Sequence, residues 1–350
     1  MVSSRVDIVP PWLDNSGPEN DVVISTRIRL ARNLDGRRFP GLASLFEKKT
    51  IYEEITGAIG QIEDYKSCPS VNFCSLPEIN RQFLVEERIV SPEFLHCEGD
   101  RGVIQIDSHR VTVLVNEEDH LRMLGMDSGY RPDELWDTLD ELDNKVGRKL
   151  TFAFDSQRGF LTSCPTNSGT GLRVSFLLHL PGLVLTKTID QILQAASQTG
   201  ISTRGFFGEH SEVYGSFFQF SNHATLGASE ENFLANTKKM IEEIIDHERK
   251  ARKKIVRYAK DELIDKIYRA YGIFSFARIM TVDEFFNLAS IIRFGIYSNL
   301  INIVSIGELN RLMLMVLPAH IQMAAGKILS PEKLCRQRAT LVKTYLGGRT

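Results

Sequence analysis

Three consecutive acids stand in front of a histidine and an arginine in the stretch VNEEDHLRML, residues 115–124. They directly follow the apolar residues Val111, Val113 and Leu114, whose pattern is typical of a buried strand. The stretch therefore gathers Glu117, Glu118, Asp119 and Arg122 at one strand end, where they could act on a charged ligand. A plain surface turn would also explain them.

A second charged stretch, STRIRLARNLDGRR at 25–38, is rich in arginine. On a strand, Arg27 and Arg29 would share one face while Ile28 and Leu30 enter the core. Two neighbouring guanidinium groups suit a polyphosphate, because their planar donors match phosphate oxygens. A solvated basic strand edge would produce the same pattern.

Two glycine-containing stretches carry further charged residues. LTSCPTNSGTGLRVSF, 161–176, is a small polar turn leading into Arg173 on a strand, and such a turn can let backbone N–H groups approach an anion. STRGFFGEHSEVYG, 202–215, places Arg204 and Glu209 in a loop with three glycines, which is also the composition of an ordinary flexible surface loop. Neither a Walker P-loop nor the protein-kinase signatures are present.

The elements that must position these residues follow from periodicity. The strand candidates are 22–30, 102–106, 110–115, 150–154, 173–180 and 217–222, and helical spacing occurs around 45–64, 131–145 and 187–198. This pattern predicts an α/β or α+β domain over residues 21–227, preceded by a loosely structured lead-in at 1–20.

Residues 228–350 are predicted to form an all-helical C-terminal domain. Ser229 is placed to cap a long amphipathic stretch running to about Tyr271, and Thr281, Ser305 and Ser330 mark further helix starts. Ser305 with Glu308 matches a capping box.

Composition excludes several classes of function. Lysine plus arginine (42) nearly balances aspartate plus glutamate (44), so no global field favours nucleic acid or membrane. Five scattered cysteines match neither a disulfide framework nor a metal site, and a reducing cytosol fits them best. We find neither an apolar leader nor a stretch that could span a membrane, which predicts a cytoplasmic protein.

Taken in order, the motifs STRIRLARN, VNEEDHLR, SCPTNSGTGLR and RGFFGEHSE resemble the phosphagen (ATP:guanido) kinases, and most closely their bacterial protein-arginine kinase branch. The resemblance implies an α+β fold, with a catalytic domain built on an antiparallel sheet flanked by helices, followed by an all-helical C-terminal domain. Arginine and creatine kinases carry an N-terminal helical domain for which this chain has no room. An open site that admits a polypeptide is therefore expected.

The resemblance also implies roles for individual residues. The arginines implied to hold the ATP phosphates are Arg27, Arg29, Arg122, Arg173 and Arg204. Glu118 and Glu209 are implied to hold the substrate guanidinium, with Cys164 beside it and Arg122 counted among the catalytic residues. The other nucleotide contacts it implies are Ser25, Thr26, Ile28, Val174, Ser175, Phe176, Leu177, Gly205, Phe206, Phe207, Gly208 and Glu209, together with Arg88 at a position where these kinases usually have histidine.

The expected reaction transfers phosphate from ATP, with Mg²⁺, to arginine side chains of proteins and gives N-phosphoarginine, in protein quality control or stress response. Two alternatives are a kinase of free arginine or another small guanidine, and a non-catalytic regulator that binds ATP or a partner. The partners implied are a zinc-finger activator protein, a heat-shock repressor, a Clp-type protease and a second copy of the chain.

The sequence departs from the family pattern in a C-terminal motif that is linked to regulation. The RDxxRA motif that binds phosphoarginine in many relatives is reduced here to Arg338 and Ala339, with Leu334 and Cys335 at its first two positions. Self-activation by phosphoarginine is therefore not expected.

Overall fold

A computed structural model describes residues 9–107, 110–205 and 214–346. In these residues eight strands form one antiparallel sheet in the order β2-β3-β4-β5-β1-β8-β10-β9, and β6 pairs with β7 in a separate hairpin. The strands are β1 (Val23–Arg32), β2 (Ser70–Asn72), β3 (Gly102–Asp107), β4 (Val111–Val115), β5 (Leu121–Ser128), β6 (Phe154–Asp155), β7 (Gly159–Phe160), β8 (Leu172–His179), β9 (Ile201–Arg204) and β10 (Phe217–Asn222).

Helices flank this sheet and make up the C-terminal third. They are α1 (Leu45–Gly60), α2 (Glu78–Glu86), α3 (Pro132–Gly147), α4 (Pro181–Leu185), α5 (Ile189–Gln198), α6 (Glu230–Tyr258), α7 (Lys260–Phe276), α8 (Val282–Tyr297), α9 (Ile306–Met315), α10 (Pro318–Ala325) and α11 (Pro331–Leu346). The predicted fold class, an antiparallel sheet flanked by helices and followed by a helical region, is confirmed.

The two faces of the sheet have different partners. On one face, Ile28, Val174 and Phe176 pack in the main hydrophobic core with residues of α1, α3 and α6. On the other face, Met126 of β5 and Leu177 of β8 join a second core formed with α7, α8, α9 and α11. Since alternate residues of a strand share a face, Arg122 and Leu124 lie on the same side as Met126.

Several expected elements differ from the structure. The interval 150–154 does not form a sheet strand: Phe152 makes only an isolated bridge to Leu34, and Phe154 is 60% exposed in the small hairpin. This segment lies against the residues that follow β1, and it does not add a strand to the eight-stranded sheet. The strands β2, β5, β7 and β9 were not expected.

Side-chain caps fix the helix starts. Ser305 and Glu308 form the predicted capping box, and Ser229 and Thr281 accept hydrogen bonds from backbone N–H groups at the starts of α6 and α8. The long stretch from Ser229 does not run unbroken to Tyr271, because Ala259 leaves the helical conformation between α6 and α7.

The lead-in is not loose throughout. Trp12 and Leu13, in a short 3-10 helix (Pro11–Leu13), are almost fully buried in the second core beside Ile24 and Phe217. The proposed domain limits at residues 20 and 227 stay predictions. Among the described residues, none of the helices combines the length and apolar character needed to cross a bilayer.

Candidate active site

The acidic stretch is the loop of the hairpin that joins β4 to β5. Asn116 starts it with a positive φ of 56°, which asparagine tolerates, and its N–H donates to the His120 carbonyl at 2.9 Å. Glu117, Asp119 and His120 are at most 8% exposed. The loop is therefore not a plain surface turn.

Asp119 and His120 hold this loop in place. Asp119 Oδ1 accepts hydrogen bonds from Asn33 Nδ2 and from the Ser163 backbone N–H, both at 2.8 Å. His120 Nδ1 accepts from the Leu34 N–H at 3.0 Å, which leaves Nε2 to donate to a backbone carbonyl at 2.9 Å. These bonds join the loop to the end of β1 and to the segment carrying Cys164, while Glu117 and Glu118 face a cavity.

The cavity has a volume of about 540 Å³ and is dominated by charged side chains. Its arginines are Arg27, Arg29, Arg88, Arg101, Arg122, Arg173 and Arg204, and its glutamates are Glu86, Glu93, Glu117 and Glu118. The structure thus brings together five arginines implied by the resemblance, from β1, β5, β8 and β9, with Glu118 and Cys164. Glu209 lies outside the described residues, as do residues 206–208.

Arginine side chains lie close together on the face of the sheet that lines the cavity. Arg29 of β1 and Arg173 of β8 are directly paired across the two strands, an arrangement that destabilises a sheet by roughly 0.2–1 kcal/mol. Burial, with repulsion from Arg122 and Arg173, lowers the pKa of Arg27 to about 10 although Glu117 opposes the shift, and burial with the neighbouring arginines also lowers the pKa of Arg29 well below its ordinary value. Guanidinium groups keep their positive charge in proteins, so this part of the cavity suits an anion.

Arg122 connects the acids to this arginine cluster. Its guanidinium donates to both Glu117 and Glu118. Burial would raise the pKa of Glu117, but Arg122, a 2.6 Å hydrogen bond from Ser91 and Arg29 together lower it below its ordinary value. Glu117 is thus an ionised buried partner for Arg122.

Glu118 is the more accessible acid. Its side chain is 44% exposed, although it pairs with Arg122. Asn167 Nδ2 donates to Glu118 Oε2 at 3.3 Å, and Asn167 Oδ1 accepts from Arg29 Nη2 at 3.3 Å. An incoming cation can reach this carboxylate while Asn167 and Arg122 hold it beside the arginines.

Arg88 belongs to the same cavity. It is buried, has a positive φ of 62°, and donates a hydrogen bond to Gln219. Its guanidinium lies 5.5 Å from the ring centre of Trp12. Burial and the nearby Arg27 lower its pKa to about 9.

Cys164 also lines the cavity. It is half-buried, and its Sγ is hydrogen-bonded to Thr166 Oγ1 at 3.0 Å. Its proposed place beside the substrate guanidinium stays a prediction.

Of the other described side chains implied as nucleotide contacts, most lie outside the cavity lining. Those of Ile28, Val174 and Phe176 are in the main core, on the opposite face of the sheet, and Leu177 is in the second core. Ser25 and Thr26 are buried on β1, where Thr26 Oγ1 donates to the Gly129 carbonyl at 2.6 Å. Ser175 lines the cavity, whereas Gly205 directly follows β9.

In the glycine-containing turn before Arg173, where backbone N–H groups were expected to approach an anion, several of these groups have partners within the protein. The N–H groups of Asn167, Ser168, Gly169 and Thr170 all donate to carbonyls within the protein. Gly169, with φ of 109°, lies so close to Thr225 that a Cβ there would be 2.2 Å from its carbonyl oxygen. The close approach at Gly169 shows that this glycine allows two segments of the chain to pack together.

Sequence reasoning missed Ser91, Asn167 and Gln219 and left Glu117 without a role. Asn167 lies inside the motif SCPTNSGTGLR, so that motif could have indicated it as a site residue. Ser91 and Gln219 lie outside the four recognised motifs, and Gln219 is separated by 131 residues from its partner Arg88. Only folding brings these residues to the cavity.

No group of three or more metal-binding side chains occurs among the described residues.

Comparison with known proteins gives consistent matches. Residues 50–251 match the model of the ATP:guanido phosphotransferase C-terminal catalytic domain, and residues 260–349 match that of the protein-arginine kinase McsB C-terminal domain. Proteins named protein-arginine kinase from Halothermothrix orenii and Moorella thermoacetica are each 38% identical to this chain, and each alignment covers 96% of it. The alignments cover 96% of the Halothermothrix protein and 97% of the Moorella protein.

Solved structures share the fold. The duplicated taurocyamine kinase of Schistosoma mansoni aligns with a TM-score of 0.61 at 26% identity, over 71% of this chain and 35% of that one. A lombricine kinase aligns with a TM-score of 0.60 at 22% identity, over 69% of this chain and 71% of its own.

Proposed function

The chain belongs to the ATP:guanido phosphotransferase family, in its protein-arginine kinase branch, and we propose that it phosphorylates arginine side chains of proteins. The products are ADP and N-phosphoarginine. The observation that carries this proposal is the cavity in which arginines from four strands meet Glu118. Its charges suit a polyphosphate on one side and a cationic acceptor on the other.

Phosphoryl transfer mainly requires alignment and stabilisation of the charge on the transferring group. Arg27, Arg29 and Arg173 lie on neighbouring strands and would bind the phosphate oxygens, with Arg122 and Arg204 completing the set. Mg²⁺ would enter as part of the substrate Mg-ATP and neutralise phosphate charge. Because the strands are held in one sheet, the arginines need little reorganisation when the nucleotide binds.

The acceptor arginine must be held and deprotonated. Glu118, and Glu209 from the segment outside the described residues, would bind two guanidinium nitrogens. A guanidinium nitrogen held by one of these carboxylates attacks the γ-phosphorus, the bond from phosphorus to the β,γ-bridging oxygen breaks, and that carboxylate accepts the proton released from the attacking nitrogen. Cys164 would face the same guanidinium.

The cellular setting follows from the family alone. We propose a cytoplasmic enzyme of protein quality control or stress response that acts as a homodimer. A zinc-finger activator, a heat-shock repressor and a Clp-type protease are the proposed partners. A direct interaction with nucleic acid or a membrane is not part of the proposal.

The test is incubation with Mg-ATP and an unfolded arginine-containing protein, followed by mass spectrometry under conditions that preserve acid-labile phosphate. We expect N-phosphoarginine on the protein, with little competition from free arginine at the same arginine concentration. The same unfolded protein with its arginines changed to lysine is the matched control. Phosphorylation of free arginine without protein modification would contradict the proposed substrate.

A further inference from the structure

Asn167 lies between a cation that would bind phosphate and the carboxylate that would bind the acceptor. It lines the cavity and is only 7% exposed. Its Oδ1 accepts a hydrogen bond from Arg29 Nη2, and its Nδ2 donates one to Glu118 Oε2, both at 3.3 Å. Only this orientation of the amide suits both neighbours, because a guanidinium only donates hydrogen bonds and an ionised carboxylate only accepts them.

The backbone on both sides of Asn167 is held by one distant residue. Asn167 is the last residue of a short 3-10 helix (Pro165–Asn167). Thr225 Oγ1 is hydrogen-bonded to the carbonyl oxygens of Thr166 and Ser168, at 2.9 and 2.7 Å. These two residues are the chain neighbours of Asn167, so the amide is presented to the cavity from a fixed backbone.

The hydrogen bonds to Glu118 from Arg122 and Asn167 end on the same oxygen atom. Arg122 Nη2 and Asn167 Nδ2 both donate to Oε2 of this carboxylate. Two donors from different segments fix the orientation of the carboxylate, and Oε1, to which neither of them donates, is left for the acceptor guanidinium. The 44% exposure of the Glu118 side chain gives the acceptor access to it.

We propose that Asn167 is a positioning residue that keeps Arg29 available to the nucleotide and Glu118 available to the acceptor. A neutral amide between these two groups prevents a direct ion pair, which would withdraw the guanidinium from phosphate and the carboxylate from the acceptor. The same amide orients the carboxylate for accepting a proton. This role rests on the proposed phosphoryl transfer, and it requires no contact between Asn167 and the reacting atoms.

Two substitutions of similar size test this role in the full-length protein. Asn167→Asp keeps an acceptor for Arg29 but presents a negative charge to Glu118, whereas Asn167→Leu keeps the two groups apart and removes both hydrogen bonds. Both variants should lower kcat by about 10- to 100-fold, because the carboxylate loses its orientation. Asn167→Asp should also weaken Mg-ATP binding by about 10-fold, because its carboxylate competes with phosphate for Arg29. Asn167→Leu should leave that affinity nearly unchanged.

Rates of phosphoarginine formation on an unfolded protein give kcat, and calorimetric titration with Mg-ATP gives the affinity without turnover. Asn232→Asp is the matched control, because Asn232 is exposed near the start of α6 and does not line the cavity. This variant should have the kcat and the affinity of the unmodified protein.

The outcomes separate the positioning role from the proposed function. Equal affinities of Asn167→Asp and Asn167→Leu for Mg-ATP would overturn the positioning role, as would a kcat in either variant that matches Asn232→Asp. Both of these results leave the phosphoryl transfer itself intact. An unmodified protein that binds Mg-ATP but phosphorylates no arginine would instead overturn the proposed function, and the positioning role with it.

Discussion

Arg122 organises the charged residues around it because it contacts both acids of the hairpin loop. It pairs with the buried Glu117 and with the half-exposed Glu118. Although burial lowers the pKa of Arg122, the charges of Glu117, Glu118 and Asp119 raise it overall. The two glutamates therefore have different environments: Glu117 stabilises Arg122 in the protein interior, and Glu118 remains available to a ligand.

Glu118→Gln tests this difference at the residue scale. Glutamine keeps the size of the side chain but accepts a proton poorly, so phosphoryl transfer should fall by about 10²- to 10⁴-fold. ATP binding should change little, because the arginines remain. Rates of phosphoarginine formation and calorimetric titration with Mg-ATP measure the two effects.

Glu98→Gln provides the comparison for that variant. Glu98 is exposed and is not part of the cavity lining, so the activity of the Glu98→Gln variant should match that of the unmodified protein. A Glu118→Gln variant with activity similar to that of Glu98→Gln would remove Glu118 from the proposed mechanism.

At the element scale, α2 connects the cavity to the helical region. Glu86, which lines the cavity, accepts hydrogen bonds from the Ala319 and His320 N–H groups at 2.7 and 3.1 Å and therefore caps α10. Phe83 packs on the His320 ring with a centroid distance of 4.3 Å. The position of the wall thus depends on a helix of the C-terminal third.

Glu86→Ala should destabilise the protein by about 1–3 kcal/mol, since it leaves two helix-start N–H groups and His320 without their acceptor. Urea unfolding followed by circular dichroism measures the change. Glu78→Ala, at the exposed start of the same helix, should cost less than about 0.5 kcal/mol. Equal losses for the two variants would show that the cap contributes nothing specific.

The junction of β8 and α8 should make stability depend on pH. Burial, with Arg252 and Arg293, lowers the pKa of His179 well below 6.5, and its Nε2 is hydrogen-bonded to Ser290 Oγ at 2.9 Å. Below about pH 6.5 the unfolded chain binds a proton at this histidine that the folded protein does not. Stability should therefore fall with decreasing pH, by up to about 1.4 kcal/mol per pH unit from this one group.

His179→Gln removes that proton-binding site. Its unfolding free energy should depend less steeply on pH between about 6.5 and 5 than that of the unmodified protein, whatever its stability at neutral pH. Urea unfolding at several pH values gives both slopes. Identical slopes would mean that His179 is not a source of acid sensitivity.

At the scale of the whole molecule, the sheet and the helical region share hydrophobic cores. Ile24, Met126 and Leu177 of the sheet pack in the second core with helices from the C-terminal third. Ile241 and Ile244 of α6 are buried in the main core. The cavity occupies the same sheet face as the second core, so one layer of strands supports both.

A fragment of residues 1–227 should therefore not fold stably by itself, because it exposes apolar side chains of both cores. We expect it to be largely insoluble, and we expect the full chain to unfold in one cooperative transition. Solubility, near-ultraviolet circular dichroism and calorimetry check both outcomes. A soluble fragment with native tertiary signals, or two separate transitions in the full chain, would show that the regions are independent.

Patterns among residues close together in the sequence predicted many of the strands and helix starts of this protein. Alternation placed Arg27 and Arg29 on one face of β1, and the Ser305–Glu308 spacing located a capping box, since both depend on residues a few positions apart. Four separated motifs also predicted the family. The short β2 and the glycine-containing β5 were missed, since neighbouring strands stabilise such segments more than their own periodicity does.

The sequence by itself thus determined the fold class and most of the residues that carry the chemistry. Tertiary structure decided which charged residues meet: Arg32 is buried against Asp143, whereas Arg27 lines the cavity. It also decided that Glu117 is buried and that Ser91 and Gln219 join the site. Such contacts depend on strand order and on packing between distant segments, which no local spacing encodes.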